Sequence, residues 1–113
     1  MVVSSEILIT RDEDIDRASR SLKAMSHPLR LKILCTLGDQ EFSVQDIVER
    51  VGTSQSNISQ HLAILRDAGF VEMDKQGSMN FYSIRCQCLD EFFGCIESVL
   101  RQKVRAQQEL VKL

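Results

Sequence analysis

No apolar run in the 113 residues approaches the roughly 20 that a helix needs to cross a bilayer. The N-terminal stretch M-V-V-S-S-E-I-L-I-T lacks the basic start and longer apolar core of a secretory leader, so no membrane association and a cytoplasmic location are expected. Machinery for catalysis is missing as well. There is no Gly-rich phosphate loop, no nucleophile elbow and no histidine–carboxylate pair that spacing would unite, so the chain is not expected to be an enzyme. A thiol oxidoreductase would want C-x-x-C ahead of a helix, and the chain offers C-Q-C instead. Positive charge is also short: 14 lysines and arginines stand against 16 acids, a net charge of −2. A nucleic-acid binder is expected to be basic, at least locally. Four cysteines in an intracellular chain of this length argue against a disulfide scaffold and for metal binding or thiol redox chemistry.

What is present has the composition of one small globular domain, with 43% apolar and 27% charged residues. Its most informative stretch runs from Thr53 to Val71, T-S-Q-S-N-I-S-Q-H-L-A-I-L-R-D-A-G-F-V. Thr53 or Ser54 can cap a helix start, and Gly69 can take the left-handed conformation just past its end. At about 100° per residue, Ile58, Leu62 and Leu65 fall on one narrow stripe. Ser56, Gln60, Ala63 and Asp67 fall opposite, with Ser59 and Ile64 at the edges. A solvated helix face is usually filled with Lys and Glu. Here Ser54, Gln55, Ser56, Asn57, Ser59, Gln60 and His61 supply short or planar hydrogen-bonding groups, the types that read base edges and phosphates. Ala63 adds little bulk, so the helix could lie close to a groove floor. The rival reading is an ordinary polar helix face.

Along the rest of the chain, residues 1–11 read as a flexible N-terminal tail and 12–110 as the domain. The acids of D-E-D-I-D suit a helix start, and Ile15, Ala18, Leu22 and Met25 repeat at helical spacing, which predicts a first helix over about 12–25. Ser26-His27-Pro28 separates it from a second, Leu29 to Leu37, apolar nearly all round and therefore expected to be buried on most sides. Ser43-Val44-Gln45-Asp46 opens a third with a variant capping box, and Gly52 turns into the polar helix. Two short helices joined by a Gly-containing turn are a helix-turn-helix, here 43–69, whose second helix enters the major groove. After Gly69 the pattern alternates. Residues 70–75 and 80–85 are strand-like around Gln76-Gly77-Ser78-Met79, a β-hairpin forming a wing over 70–85. A last helix over 89–110 carries Leu89, Phe92, Phe93, Ile96, Val99, Leu100 and Val104 on one face. The predicted fold is mainly α with a small β-hairpin, a winged helix-turn-helix of order α-α-α-α-β-β-α. Its first and last helices have more apolar face than so small a domain can cover, which suits a homodimer.

Four segments, L-K-A-M-S-H-P-L-R-L-K-I-L (22–34), S-V-Q-D-I (43–47), S-Q-S-N-I-S-Q-H-L-A-I-L-R-D-A-G (54–69) and F-Y-S-I (81–84), resemble the ArsR/SmtB family of winged-helix repressors over about residues 12–105. The resemblance implies a homodimer on a palindromic double-stranded operator, released when an effector is sensed, with no cofactor needed for DNA binding. The family's familiar metal sites are not intact. Where an arsenic-sensing cysteine would precede the recognition helix the chain has Ser43, Val44, Gln45 and Asp46. Where a zinc site would begin Asp-x-His it has Cys86-Gln87-Cys88, and Val99 and Gln102 stand where that site's second half belongs.

Thiol chemistry remains. Cys86 and Cys88 offer two soft ligands, with Cys95 as a third, for arsenite or antimonite, cadmium, lead or zinc. If the last helix already included Cys88, its Cα would lie about 10 Å from that of Cys95, too far for one small ion. The alternative is a switch by thiol oxidation or persulfide through Cys35, in a segment resembling the thiol-responsive HlyU/BigR-like branch of the family. There the second cysteine would fall at Arg101, so Cys95 would have to substitute. Bridging needs Cα atoms within about 7 Å. The plain reading of Cys35 and Cys95 is as small core hydrophobes. A different class, a winged helix used for protein contacts alone, would want an apolar or acidic recognition face. Within residues 43–85, Arg50, Arg66, Lys75 and Arg85 face five acids. Binding of modest strength and strong salt dependence is therefore expected, with Arg66 and Lys75 among the few phosphate contacts.

Overall fold

The computed structural model describes residues 11–111, so the tail expected at 1–11 lies, apart from Arg11, outside the described residues. Polar caps and glycines set the helix ends. Helix α1 (Asp12–Met25) places Asp12, Glu13 and Asp14 at the positive end of its dipole. Helix α2 (Pro28–Leu37) starts one residue earlier than its apolar run, because Pro28 sits in the first turn and His27 Nδ1 accepts the Leu29 N–H at 3.1 Å. In α3 (Val44–Val51) Ser43 Oγ accepts the Asp46 N–H at 3.1 Å, and Gly52 ends the helix at φ 85°. In α4 (Gln55–Asp67) it is Ser54, not Thr53, whose Oγ accepts the Asn57 N–H, at 3.2 Å. The end of α4 is doubly tied: Gly69 N–H donates to Arg66 O and Phe70 N–H to Leu65 O, both at 3.0 Å. This is the Schellman arrangement, and it requires the left-handed Gly69 (φ 86°) that turns the chain directly into the wing.

The sheet differs from the expected two-stranded hairpin. Strands β1 (Phe42–Ser43), β2 (Val71–Gln76) and β3 (Met79–Ile84) form one antiparallel sheet in the order β1-β3-β2. Phe42 faces Tyr82 and Ser43 faces Phe81. A two-residue strand has no readable period, so sequence patterning passes over it. The hairpin turn is also tighter than expected: Gln76 pairs with Met79 across Gly77-Ser78, with Gly77 at φ 65° in the first of the two loop positions.

The core is built from α2, α3, α4 and the root of the wing. Ile33, Leu34, Ile47, Ile58, Leu62 and Leu65 are fully buried, with Leu37, Val71 and Ile84 nearly so. Burying each such side chain stabilises the fold by roughly 1.5–3 kcal/mol. Helix α2 is not buried on most sides as its composition suggested. Leu31 and Cys35, four residues apart, share an exposed stripe, because α2 contacts α1, α3, α4 and β3 with its other faces.

Helix α5 (Leu89–Val111) divides into two parts. Leu89 is buried and Phe92 and Phe93 pack against the core, whereas Ile96, Val99, Leu100 and Val104 are 46–61% exposed along one stripe. On α1, Ile15 and Leu22 are about half exposed as well. Among the described residues no helix is long and apolar enough to cross a membrane.

Candidate nucleic-acid interface

The apolar stripe of α4, Ile58, Leu62 and Leu65, is wholly buried, so the helix cannot roll and its opposite arc must face outward. On that arc Gln55, Ser56, Ser59, Gln60, Ala63 and Arg66 are exposed. Among the described residues no hydrogen bond engages the side chains of Gln55, Ser59 or Gln60, which leaves their amides and hydroxyl available to a base edge.

The remaining residues expected at the interface have other engagements. Ser54 is the helix cap, with Ser56 Oγ 3.4 Å from its Oγ. Asn57 is half-buried and donates to Thr53 Oγ1 at 3.1 Å, so it braces the turn. His61 lies on the flank next to the core stripe: its ring stacks 4.5 Å from that of His27, and Arg30 Nη1 lies 3.3 Å from its Nδ1. Arg66 Nη1 donates to Met73 sulfur at 3.7 Å, which holds the guanidinium beside β2, while Lys75 is exposed in the wing.

Three features came from outside the helix-turn-helix segment or from its far corners. Arg30 and Lys32 reach it from α2; Lys32 Nζ donates to Val51 O at 3.0 Å, just before the start of α4. Counting them shifts the reading head from one excess acid to one excess base. Arg50 is less available than its charge suggests, since its guanidinium lies 4.3 Å over the Phe42 ring. A cleft of about 210 Å³ opens where the starts of α3 and α4 meet the wing, and Gln45, Gln55, Ser78 and Asn80 line it. Neutral hydrogen-bonding groups share its walls with the apolar Val44 and Met79. Gln45, Ser78 and Asn80 carry no sequence signal of their own, because only the tertiary fold brings them to Gln55.

The His27–His61–Arg30 group gives α4 a pH dependence. Each ring accepts from a fixed donor: His27 Nδ1 from the Leu29 N–H, and His61 Nδ1 from the Arg30 guanidinium, which can only donate. Burial, then the nearby His27 and Arg30 charges, hold His61 below the ordinary histidine value. The unfolded chain therefore binds more protons, and stability rises with pH through this window. The contribution is complete above about pH 6.5 and is lost as pH falls through the lower folded value. Thermal unfolding between about pH 7 and 5 should accordingly show a steeper fall in Tm for the native chain than for His61→Gln. Parallel curves would mean that His61 carries no such linkage.

The cysteines separate into two kinds. Cys86 and Cys88 are joined by a disulfide between β3 and α5, with Cα atoms 5.4 Å apart. In this state neither sulfur is a thiolate ligand. Helix α5 begins at Leu89, after Cys88, which removes the helical spacing that would have kept Cys88 from Cys95. Even so, no group of three His, Cys, Asp or Glu suited to a metal ion forms among the described residues. Cys35 and Cys95 are free thiols and both exposed, so neither is the small core hydrophobe of the plain reading.

Comparison with known proteins places this geometry. Residues 27–73 match the family model described as bacterial regulatory protein, arsR family. The biofilm growth-associated repressor of Xylella fastidiosa is 38% identical over 79 residues, covering 67% of this chain and 69% of that protein. The HTH-type transcriptional regulator YgaV of Escherichia coli is 36% identical over 85 residues, covering 74% and 86%. Among solved structures, reduced HlyU from Vibrio cholerae superposes with a TM-score of 0.70 at 36% identity, over 79% of this chain and 97% of that one.

Proposed function

The chain belongs to the arsR family of bacterial regulatory proteins, and from that premise we propose a cytoplasmic homodimeric repressor that reads a palindromic operator with paired α4 helices. The observation that carries this reading is the outward arc of α4, with Gln55, Ser59 and Gln60 unengaged above a stripe that is completely buried. Two such helices, related by a dimer two-fold, would enter successive major grooves about 34 Å apart. The bare stripes of α1 and α5 are the surface proposed to join the two copies. DNA binding needs no cofactor in this scheme. Gln55, Ser56, Ser59 and Gln60 choose the site. Arg66, Lys75 and the α2 cations Arg30 and Lys32 hold phosphate.

Release is proposed to follow reaction of cysteine thiols. The oxidation or persulfide route through Cys35 and Cys95 is supported by the exposure of both free thiols. It also suits the likeness to HlyU, a protein described in its reduced form. The thiophilic metal or metalloid route draws support from the adjacency of Cys86 and Cys88, which once reduced supply two ligands to an arsenite-like, cadmium, lead or zinc ion, with Cys95 as the third.

The test is binding to an operator selected from random duplexes, measured beside a scrambled duplex. Gln60→Ala should lower the preference for the operator by about 1–3 kcal/mol while scrambled DNA is bound as before. Equal weakening on both duplexes would refute direct readout. Adding polysulfide, arsenite, cadmium or zinc to Cys35→Ser and Cys86→Ser proteins assigns the route. If neither variant alters any response, the cysteines have no part in release.

A further inference from the structure

The C-Q-C segment is pinned at both ends and reactive in the middle. Ile84 before it and Leu89 after it are 4% and 6% exposed, whereas Cys86 and Cys88 both stand in solvent. Between those anchors, three backbone carbonyls hold the start of α5: Cys86 O accepts the Leu89 N–H at 3.2 Å, Gln87 O the Asp90 N–H at 3.4 Å and Cys88 O the Phe92 N–H at 3.3 Å. Gln87 Nε2 in turn donates to Ile84 O at 3.2 Å. The sulfur link thus closes a small ring through the peptide units that carry the Cys86 and Gln87 carbonyls, with the Cys88 carbonyl directly after it. Opening the ring frees those units between two flanks that stay fixed, because Ile84 and Leu89 are buried. Beyond this turn α5 carries the bare Ile96, Val99, Leu100 and Val104 stripe. A change of about 10° in its exit direction would move the far end of a helix this long by about 6 Å.

We propose that Cys86 and Cys88 are a reversible dithiol–disulfide switch that sets the start of α5 and, through it, the spacing of the two reading helices. This pair is distinct from the Cys35–Cys95 route, and only its effect on DNA rests on the repressor reading. The oxidant class is a low-molecular-weight disulfide. The thiolate of one cysteine attacks that disulfide, forming a mixed disulfide and expelling one thiolate, which takes up a proton. The second cysteine's thiolate then attacks the protein-side sulfur and expels the other half. Two electrons pass from the pair to the reagent, one disulfide is consumed, and two free thiols and one Cys86–Cys88 bond are formed.

The experiment uses full-length Cys35→Ser/Cys95→Ser protein with a metal chelator present, treated with oxidised glutathione and then with dithiothreitol. Oxidation should remove two hydrogens from the intact mass, with the link mapped to the 86–88 peptide, and dithiothreitol should restore both. Amide exchange at Leu89 and Phe92 should quicken by about tenfold on reduction, while Ile58 and Leu62 stay unchanged. Cys86→Ser and Cys88→Ser should each exchange like the reduced protein in either buffer. Persistent glutathione adducts without a link would overturn the switch, as would a link that leaves Leu89 and Phe92 exchange unaltered. Operator affinity of the two states should differ by about fivefold or more. Equal tight binding would overturn the coupling and leave the repressor reading standing. No operator binding in either state would sink that reading, with exchange still deciding the switch.

Discussion

Replacing Val99 and Leu100 together by glutamate is expected to yield a folded monomer and to weaken operator binding by at least about hundredfold, since linked half-site binding multiplies affinity by 10²–10⁴. Both side chains are more than half exposed in the protomer, so charge there disturbs nothing in its own core. The cost falls on association. Ile96, Val99, Leu100 and Val104 form one stripe on α5, and Ile15 and Leu22 present a second on α1. Carboxylates placed among them would face one another across a two-fold axis, desolvated and like-charged. Sedimentation at several concentrations reads the oligomeric state, and circular dichroism verifies that the protomer's helices survive. A double variant that still sediments as a dimer with full operator affinity would remove this surface from the interface.

Leu62→Ala is expected to destabilise the fold by about 2–5 kcal/mol, lowering Tm by at least about 10 °C. Leu62 is fully buried and stands at the middle of α4, with Ile58 and Leu65 above and below it. Truncation leaves a cavity between α4 and the body that α2 and α3 provide, and the helix that carries Gln55 and Gln60 loses its central anchor. The exposed neighbour supplies the contrast: Ala63→Ser should change stability by less than about 0.5 kcal/mol. Chemical denaturation of both variants distinguishes the two positions. If Leu62→Ala unfolded within about 1 kcal/mol of the native chain, the close packing of α4 would be refuted.

These two expectations draw on different levels of the molecule. The α4 stripe is local: Ile58, Leu62 and Leu65 recur at helical spacing, and their burial follows from periodicity alone. Ser43, Gly52 and Gly69 were legible for the same reason, because capping is a matter of backbone groups within a few residues, and the same signal narrowed the cap of α4 to Thr53 or Ser54. The exposed stretch of α5 was legible as surplus apolar face. The two-residue strand β1 was not. It exists only because β3 passes beside it, and no period can be read from Phe42 and Ser43 by themselves. The exposed Leu31–Cys35 stripe of α2 was hidden likewise. An apolar composition reports what a helix could bury, and the neighbours decide which side they cover.

The candidate site shows the same division. Its Gln- and Ser-rich arc lies on one helix, and residue type at helical spacing was enough to find it. Arg30 and Lys32 on α2, and Gln45, Ser78 and Asn80 around the cleft, join it from segments that only packing brings close. Residue type puts His61 on the polar face, yet its ring is taken up by His27 and Arg30.

The amino-acid order alone determined the family resemblance and the shortage of positive charge, which are properties of residue identity, and most helix ends and the polar arc of α4, which rest on interactions within a turn or two of backbone. Tertiary structure decided which polar groups were spoken for and which cations came close to α4. Those depend on distances between residues far apart in the chain, and periodicity carries no information about them.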